Sequence, residues 1–150
     1  WEWEHIYWDV KGICNTQARK AGFEQFIYFN RDNNKGKNVK TPRSEMEPFY
    51  HSGLSDVAKC HITMVQIESS KDMGSLQLYI NAYRFLDNVL SVSGKSIAEL
   101  SAHEFKLAEK DARERLQDST FYRTGQKLEV ICKFINQHGL AKHKIVFKKF

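Results

Sequence analysis

The chain has little of what marks whole classes of protein. Its 150 residues hold three cysteines, Cys14, Cys60 and Cys132, far apart and odd in number. No Cys-x-x-Cys pair occurs, so neither a zinc site nor a disulfide framework is indicated, and reduced thiols in a cytoplasmic protein are expected. Cys60 and His61 are adjacent, but neighbours on a helix point about 100° apart, which fits one core and one surface position better than a shared metal. No apolar run approaches the roughly 20 residues needed to span a bilayer, so no membrane partner is expected. The opening Trp-Glu-Trp-Glu-His is acidic and aromatic, unlike a secretory signal. The missing initiator Met suggests a piece of a longer protein. There is no internal repeat, no phosphate-cradling glycine loop, no Ser-His-Asp grouping and no His-Glu-x-x-His. His51, His61, His103, His138 and His143 are scattered and read mostly as surface residues. No cofactor and no catalysis by this chain alone are expected.

What is present is ordinary bulk and an uneven charge. A hydrophobic share of 41% and a charged share of 27% are those of a globular chain long enough to bury a core. The net charge of +5 permits nucleic-acid binding without requiring it. Its distribution says more. Basic and acidic residues number eight and seven in residues 1–50, four and five in residues 51–100, and eleven and six in residues 101–150. From Ser119 to Phe150 the balance is seven to one, with Arg123, Lys127, Lys133, Lys142, Lys144, Lys148 and Lys149 against Glu129. A basic helix end with interleaved polar and aromatic residues is the footprint of a DNA-reading surface.

Periodicity divides the chain. Residues 1–30 hold eight aromatics, among them Trp3, Tyr7, Trp8, Phe26 and Phe29, suited to a small core or a docking face. Trp3 to Val10 reads as a strand and Asn15 to Phe26 as a short helix. Arg31 to Ser44 is a polar, basic linker, solvated or serving as an arm to phosphate. A helix is predicted over Ser55–Ser69 and a longer one over Ser75–Val92, ended by Gly94. Ser96 to Glu99 and Ser101 to Glu104 each match a capping box. They lead into a third helix over Ala102–Gln117 with a buried stripe of Phe105, Ala108, Ala112 and Leu116. Asp118, Ser119 or Thr120 caps a fourth, which reaches His138 before a Gly139 stop. The expected fold is mainly α, a bundle of four to five helices over residues 51–150. An aromatic-rich, α+β extension of about 50 residues precedes it.

The fourth helix carries the chemistry. With Leu128 at the centre of its buried face, Phe121, Thr124, Ile131, Cys132 and Ile135 fall within about 60° of it. Ser119, Tyr122, Arg123, Gln126, Lys133 and Gln137 then face outward, with Thr120 and Lys127 on the flank. Arg can bond guanine O6 and N7 together, and Gln can do the same for adenine N6 and N7. Hydroxyls, lysines and helix-start N–H groups suit phosphate oxygens. Lys142 and Lys144 in the basic tail add to this.

Leu-Tyr-Ile-Asn-Ala-Tyr-Arg-Phe-Leu (78–86), Gly-Lys-Ser-Ile-Ala-Glu-Leu-Ser-Ala-His-Glu-Phe (94–105) and Thr-Phe-Tyr-Arg-Thr-Gly-Gln-Lys-Leu-Glu-Val-Ile-Cys-Lys-Phe-Ile (120–135) follow one another in a familiar rhythm. This order resembles the SAM-like core-binding domain of tyrosine site-specific recombinases, the phage-integrase type. The resemblance covers about half the chain and leaves residues 1–50 unmatched. It implies a helical bundle forming half of a C-shaped clamp on duplex DNA, with copies of the protein assembling there. It implies major-groove contacts from Arg84 and Asn88 on the second helix, and from Arg123, Gln126 and Lys127 on the fourth. Arg84 has an alternative as a surface ion-pair partner. The family's chemistry, strand cleavage by a Tyr, belongs to a later domain, and no His-x-x-Arg occurs here. A helical protein-interaction module, docking through its aromatic N-terminus, is the competing expectation.

Overall fold

The computed structural model describes residues 3–10, 26–31, 46–69 and 71–150. A small antiparallel sheet comes first, of β1 (Tyr7–Asp9) and β2 (Phe26–Tyr28), paired Tyr7 to Tyr28, Trp8 to Ile27 and Asp9 to Phe26. Side chains alternate across such a ladder. Trp8 and Ile27 therefore turn inward and are buried, while Tyr7, Phe26 and Tyr28 cluster on the other face. Phe26 is thus the first residue of a strand, not the end of a helix. The rest of the predicted helix over Asn15–Phe26 lies outside the described residues. So does the Arg31–Ser44 linker except for Arg31, which pairs with Glu47 and lies over the Tyr50 ring.

Four helices follow: α1 (Ser52–Glu68), α2 (Met73–Ser93), α3 (Ala102–Arg115) and α4 (Asp118–Gln137). Their ends follow local chemistry. The Asp72 carboxylate accepts the Ser75 N–H at 2.8 Å and starts α2. Gly94, at φ 71°, takes the left-handed conformation that ends it. Both capping boxes form, the first around a single 3-10 turn (Ile97–Glu99), the second at the start of α3. The N-cap of α4 is Gln117, one residue ahead of the three candidates, and its side chain makes no capping bond. At the other end, Leu140 N–H reaches the Ile135 carbonyl and Gly139 N–H that of Asn136. This is a Schellman closure with Gly139 at φ 61°.

The long α2 is the hub. It packs against α1, α3, α4 and β2, and residues 78–87 are all buried. Leu76, Ile80, Tyr83, Leu86 and Leu90 meet Phe105, Ala108, Leu128, Ile131 and Ile135 in one apolar core. Trp3, Trp8 and Phe29 of the N-terminal segment join that core. Trp8 packs on Phe29 with ring centres 4.9 Å apart, and Trp3 packs on Trp8 at 5.5 Å. The architecture is mainly helical, four packed helices preceded by a two-stranded sheet. No helix of the described residues is long and apolar enough to cross a membrane.

Candidate nucleic-acid interface

Burial along α4 has helical period. Thr124, Gly125, Leu128, Ile131, Cys132, Phe134 and Ile135 are buried. Ser119, Tyr122, Arg123, Gln126, Lys133 and Gln137 are all exposed, and Thr120 and Lys127 are half-buried on the flank. The driving force is apolar area removed from water on one side only. One 20-residue helix thus presents a row of hydroxyls, amides and cations to solvent.

The positive charge on this row is not neutralised within the fold. Among the described residues, Arg123, Lys127 and Lys133 make no ion pair with a carboxylate. Lys127 lies over the Tyr79 ring, its Nζ 4.5 Å from the ring centre. Burial there lowers its pKa, and the charges of Lys71 and Arg123 lower it further. Lys71 sits in the turn between α1 and α2. Sequence periodicity has no means of placing a turn residue beside α4, so Lys71 is an addition to the predicted set. An anion would relieve the mutual repulsion of these three cations.

The basic tail does not hang free. Asn136 clasps Ile145, its Nδ2 donating to the Ile145 carbonyl at 2.7 Å and its Oδ1 accepting the Ile145 N–H at 2.8 Å. Phe147 packs on Phe105, Lys149 N–H meets the Glu129 carboxylate, and Phe150 N–H meets that of Glu109 at 2.7 Å. The tail therefore runs back along the α3–α4 seam. Gly125 permits the close pass, since a Cβ there would stand 3.4 Å from that of Lys149. The result places the Lys149 ammonium over the Tyr122 ring at 4.0 Å, on the outward row. Lys142 and Lys144 stay exposed at the opposite end, beyond the last turn of α4. Asn136→Ala removes both clasping bonds. It is expected to cost about 2 kcal/mol, since each buried hydrogen bond contributes about 1 kcal/mol net. Amide exchange should accelerate at Ile145 and leave Leu128 protected.

Two predicted contacts on α2 fare differently. Asn88 is half-buried near the end of that helix. Arg84 is 4% exposed, inside the fold. Its guanidinium donates to the carbonyls of Tyr28 and Asn30 and to the side-chain oxygens of Asn30 and Asn81. Arg84 is therefore inside the fold, not on a surface that meets a groove. It ties the sheet to α2. His103, His138 and His143 are exposed, whereas His61 is 4% exposed beside a surface Cys60. Among the described residues no group of His, Cys, Asp and Glu is placed to hold a metal.

No family model, curated protein or solved structure matches this chain.

Proposed function

We propose that this chain binds duplex DNA through the outward row of α4, with Arg123 and Gln126 toward base edges and Ser119, Thr120, Tyr122, Lys127 and Lys133 toward phosphates. The observation that carries the reading is the cationic run of Lys71, Arg123 and Lys127, without carboxylate partners among the described residues, beside an exposed amide and hydroxyls. Arg pairs with guanine and Gln with adenine in the major groove, while Lys and hydroxyls fix register on the backbone. A helix of this diameter fits that groove. Arg84 leaves the contact set. The resemblance to tyrosine recombinases extends the proposal: the chain grips a recombination site, copies of it assemble there, and strand cleavage belongs to another domain.

Titration into labelled duplex, followed by anisotropy, tests it. Log affinity should fall with log salt at a slope of about −4 to −6, as for five to seven neutralised phosphates. R123E/K127E should weaken binding by about 100-fold or more, given two reversed contacts and the discrimination lost with the arginine. Its melting temperature reports whether the fold persists. No binding by the parent chain at low salt would end the proposal.

One observation favours the second reading, a protein-interaction module. On α1, Cys60, Met64 and Ile67 form an exposed stripe at helical spacing, with Ile67 80% exposed. The docking face would then lie on α1, because Trp8 and Phe29 are in the core. Partner binding that survives R123E/K127E would mark that reading.

A further inference from the structure

At the C-terminal end of α4 the helix and the chain that follows it enclose an open cleft of about 500 Å³. Its polar lining comes from Lys133, Asn136 and Gln137 on the helix and from Lys142, His143 and Lys144 beyond it. Among the described residues no carboxylate lines it. Glu99 shares a second hollow with Lys142, His143 and Lys144, and the charge of Lys142 acts on its carboxylate. The loop is built rather than loose. Lys142 N–H donates to the Ala98 carbonyl at 2.8 Å, and the Asn136 clasp fixes Ile145 just after it. Three ammonium groups are therefore held around one concave space, each on backbone anchored at both ends. No ion pair to Lys133, Lys142 or Lys144 exists among the described residues.

Lys133 and Gln137 belong both to this cleft and to the outward row of α4. The two surfaces are thus continuous. Along the helix axis, Lys133 lies about 15 Å from Arg123 at 1.5 Å per residue. The major groove of B-form DNA is about 12 Å wide. With the helix axis laid across the groove and Arg123 at the base edges, the cleft falls over the sugar–phosphate strand that walls the groove. Its size, its cations and its lack of acid suit a phosphodiester, which needs charge and donors without base geometry.

We infer that this cleft is a phosphodiester clamp for one DNA strand, setting the register with which the N-terminal half of α4 enters the groove. The inference rests on the DNA reading proposed above. It assigns Lys142 and Lys144, the exposed cations of the loop, a contact separate from the Arg123–Lys127 run.

The test uses the full 150-residue chain and a labelled duplex in a salt series, comparing the parent with K142Q/K144Q and with K106Q/K110Q on α3. The last pair removes the same charge outside the cleft, and its melting curve is read beside it because Lys106 Nζ donates to the Lys148 carbonyl of the tail at 2.7 Å. K142Q/K144Q should melt as the parent does, since both side chains are exposed. It should flatten the salt slope by about 2, one for each lost phosphate contact. K106Q/K110Q should change it by less than half as much. In amide NMR spectra, duplex should shift the resonances of Ala141, His143 and Lys144 in the parent. A parent that binds DNA while both double variants show one slope, with those resonances unmoved, overturns the clamp and leaves the DNA reading standing. Equal flattening by the two pairs overturns it as well, since net charge then explains the effect. A parent that does not bind removes both.

Discussion

Arg84→Ala is expected to lower the stability of this fold by about 3–5 kcal/mol, the range for breaking a buried, hydrogen-bonded charged network. Arg84 is almost fully buried, and its fork holds the carbonyls of Tyr28 and Asn30 and the side chains of Asn30 and Asn81. Truncation removes the guanidinium donors from all of these groups, although the Asn81 oxygen keeps the Gln77 amide at 3.2 Å. Hydrogen bonds from a charged group contribute about 1.5–3 kcal/mol each, and stranded acceptors add desolvation costs that alanine cannot repair. At roughly 2–4 °C per kcal/mol for a domain of this size, the midpoint should fall by about 6–20 °C. Arg84→Lys keeps the charge but offers no planar fork, so it should recover less than half of the loss. The DNA readout separates this role from a groove contact. Arg84→Lys should leave the salt slope of binding where the parent has it. A variant that melts like the parent and loses affinity would return Arg84 to the interface.

That residue also shows where the sequence was legible and where it was not. On α4, each residue assigned to the outer row by a 3.6-residue period is exposed, and Leu128 is fully buried. One side of that helix meets core and the other meets water, so local pattern and environment agree. On α2 they part. Asn81, Arg84 and Asp87 recur every three residues, and Arg84 was expected to face outward, yet all three are buried. The stripe is covered by segments 36 to 56 residues away in sequence. Arg84 holds the end of β2, and Asp87 accepts the N–H groups of Tyr50 and His51 at the entrance to α1. Polar groups can be buried when their hydrogen bonds are met, and nothing local announces that the partners will arrive. Lys71 and the folded-back Lys149 were hidden for the same reason. Their charges were plain in the sequence, but their neighbours are tertiary. The capping boxes, by contrast, need only residues three apart, and both formed as read.

His61 should make the fold sensitive to mild acid. Its ring is stacked on Phe134 of α4, with centres 4.0 Å apart and planes within 11°. Its Nδ1 shares a 2.6 Å hydrogen bond with the Tyr83 hydroxyl of α2, and the Tyr79 ring meets it edge-on at 5.1 Å. One imidazole thus joins α1, α2 and α4. Its pKa is lowered from 6.5 to about 4, chiefly by burial and then by the charges of His138 at the C-cap of α4 and Lys127 within it. The native state therefore resists a proton that the unfolded chain binds readily. Its contribution is fully present above pH 6.5 and is lost as pH falls toward 4. At 1.36 kcal/mol per unit, that window removes about 3 kcal/mol. Unfolding midpoints in urea measured between pH 7.5 and 4 should fall accordingly. In His61→Gln, which cannot charge, the fall should be shallower by about that amount, although the variant starts less stable at neutral pH because the stacking is lost. Parallel curves for the two proteins would mean that the carboxylates set the acid sensitivity and that His61 is only a packing residue. A shallower curve would place the first acid-driven loosening at the seam of α1 with α4. Lys127, the flank of the proposed DNA row, packs on Tyr79 at that same seam. DNA binding should then weaken as pH approaches 4, where the native imidazole takes up its proton, against the ordinary trend in which added positive charge favours a phosphate backbone.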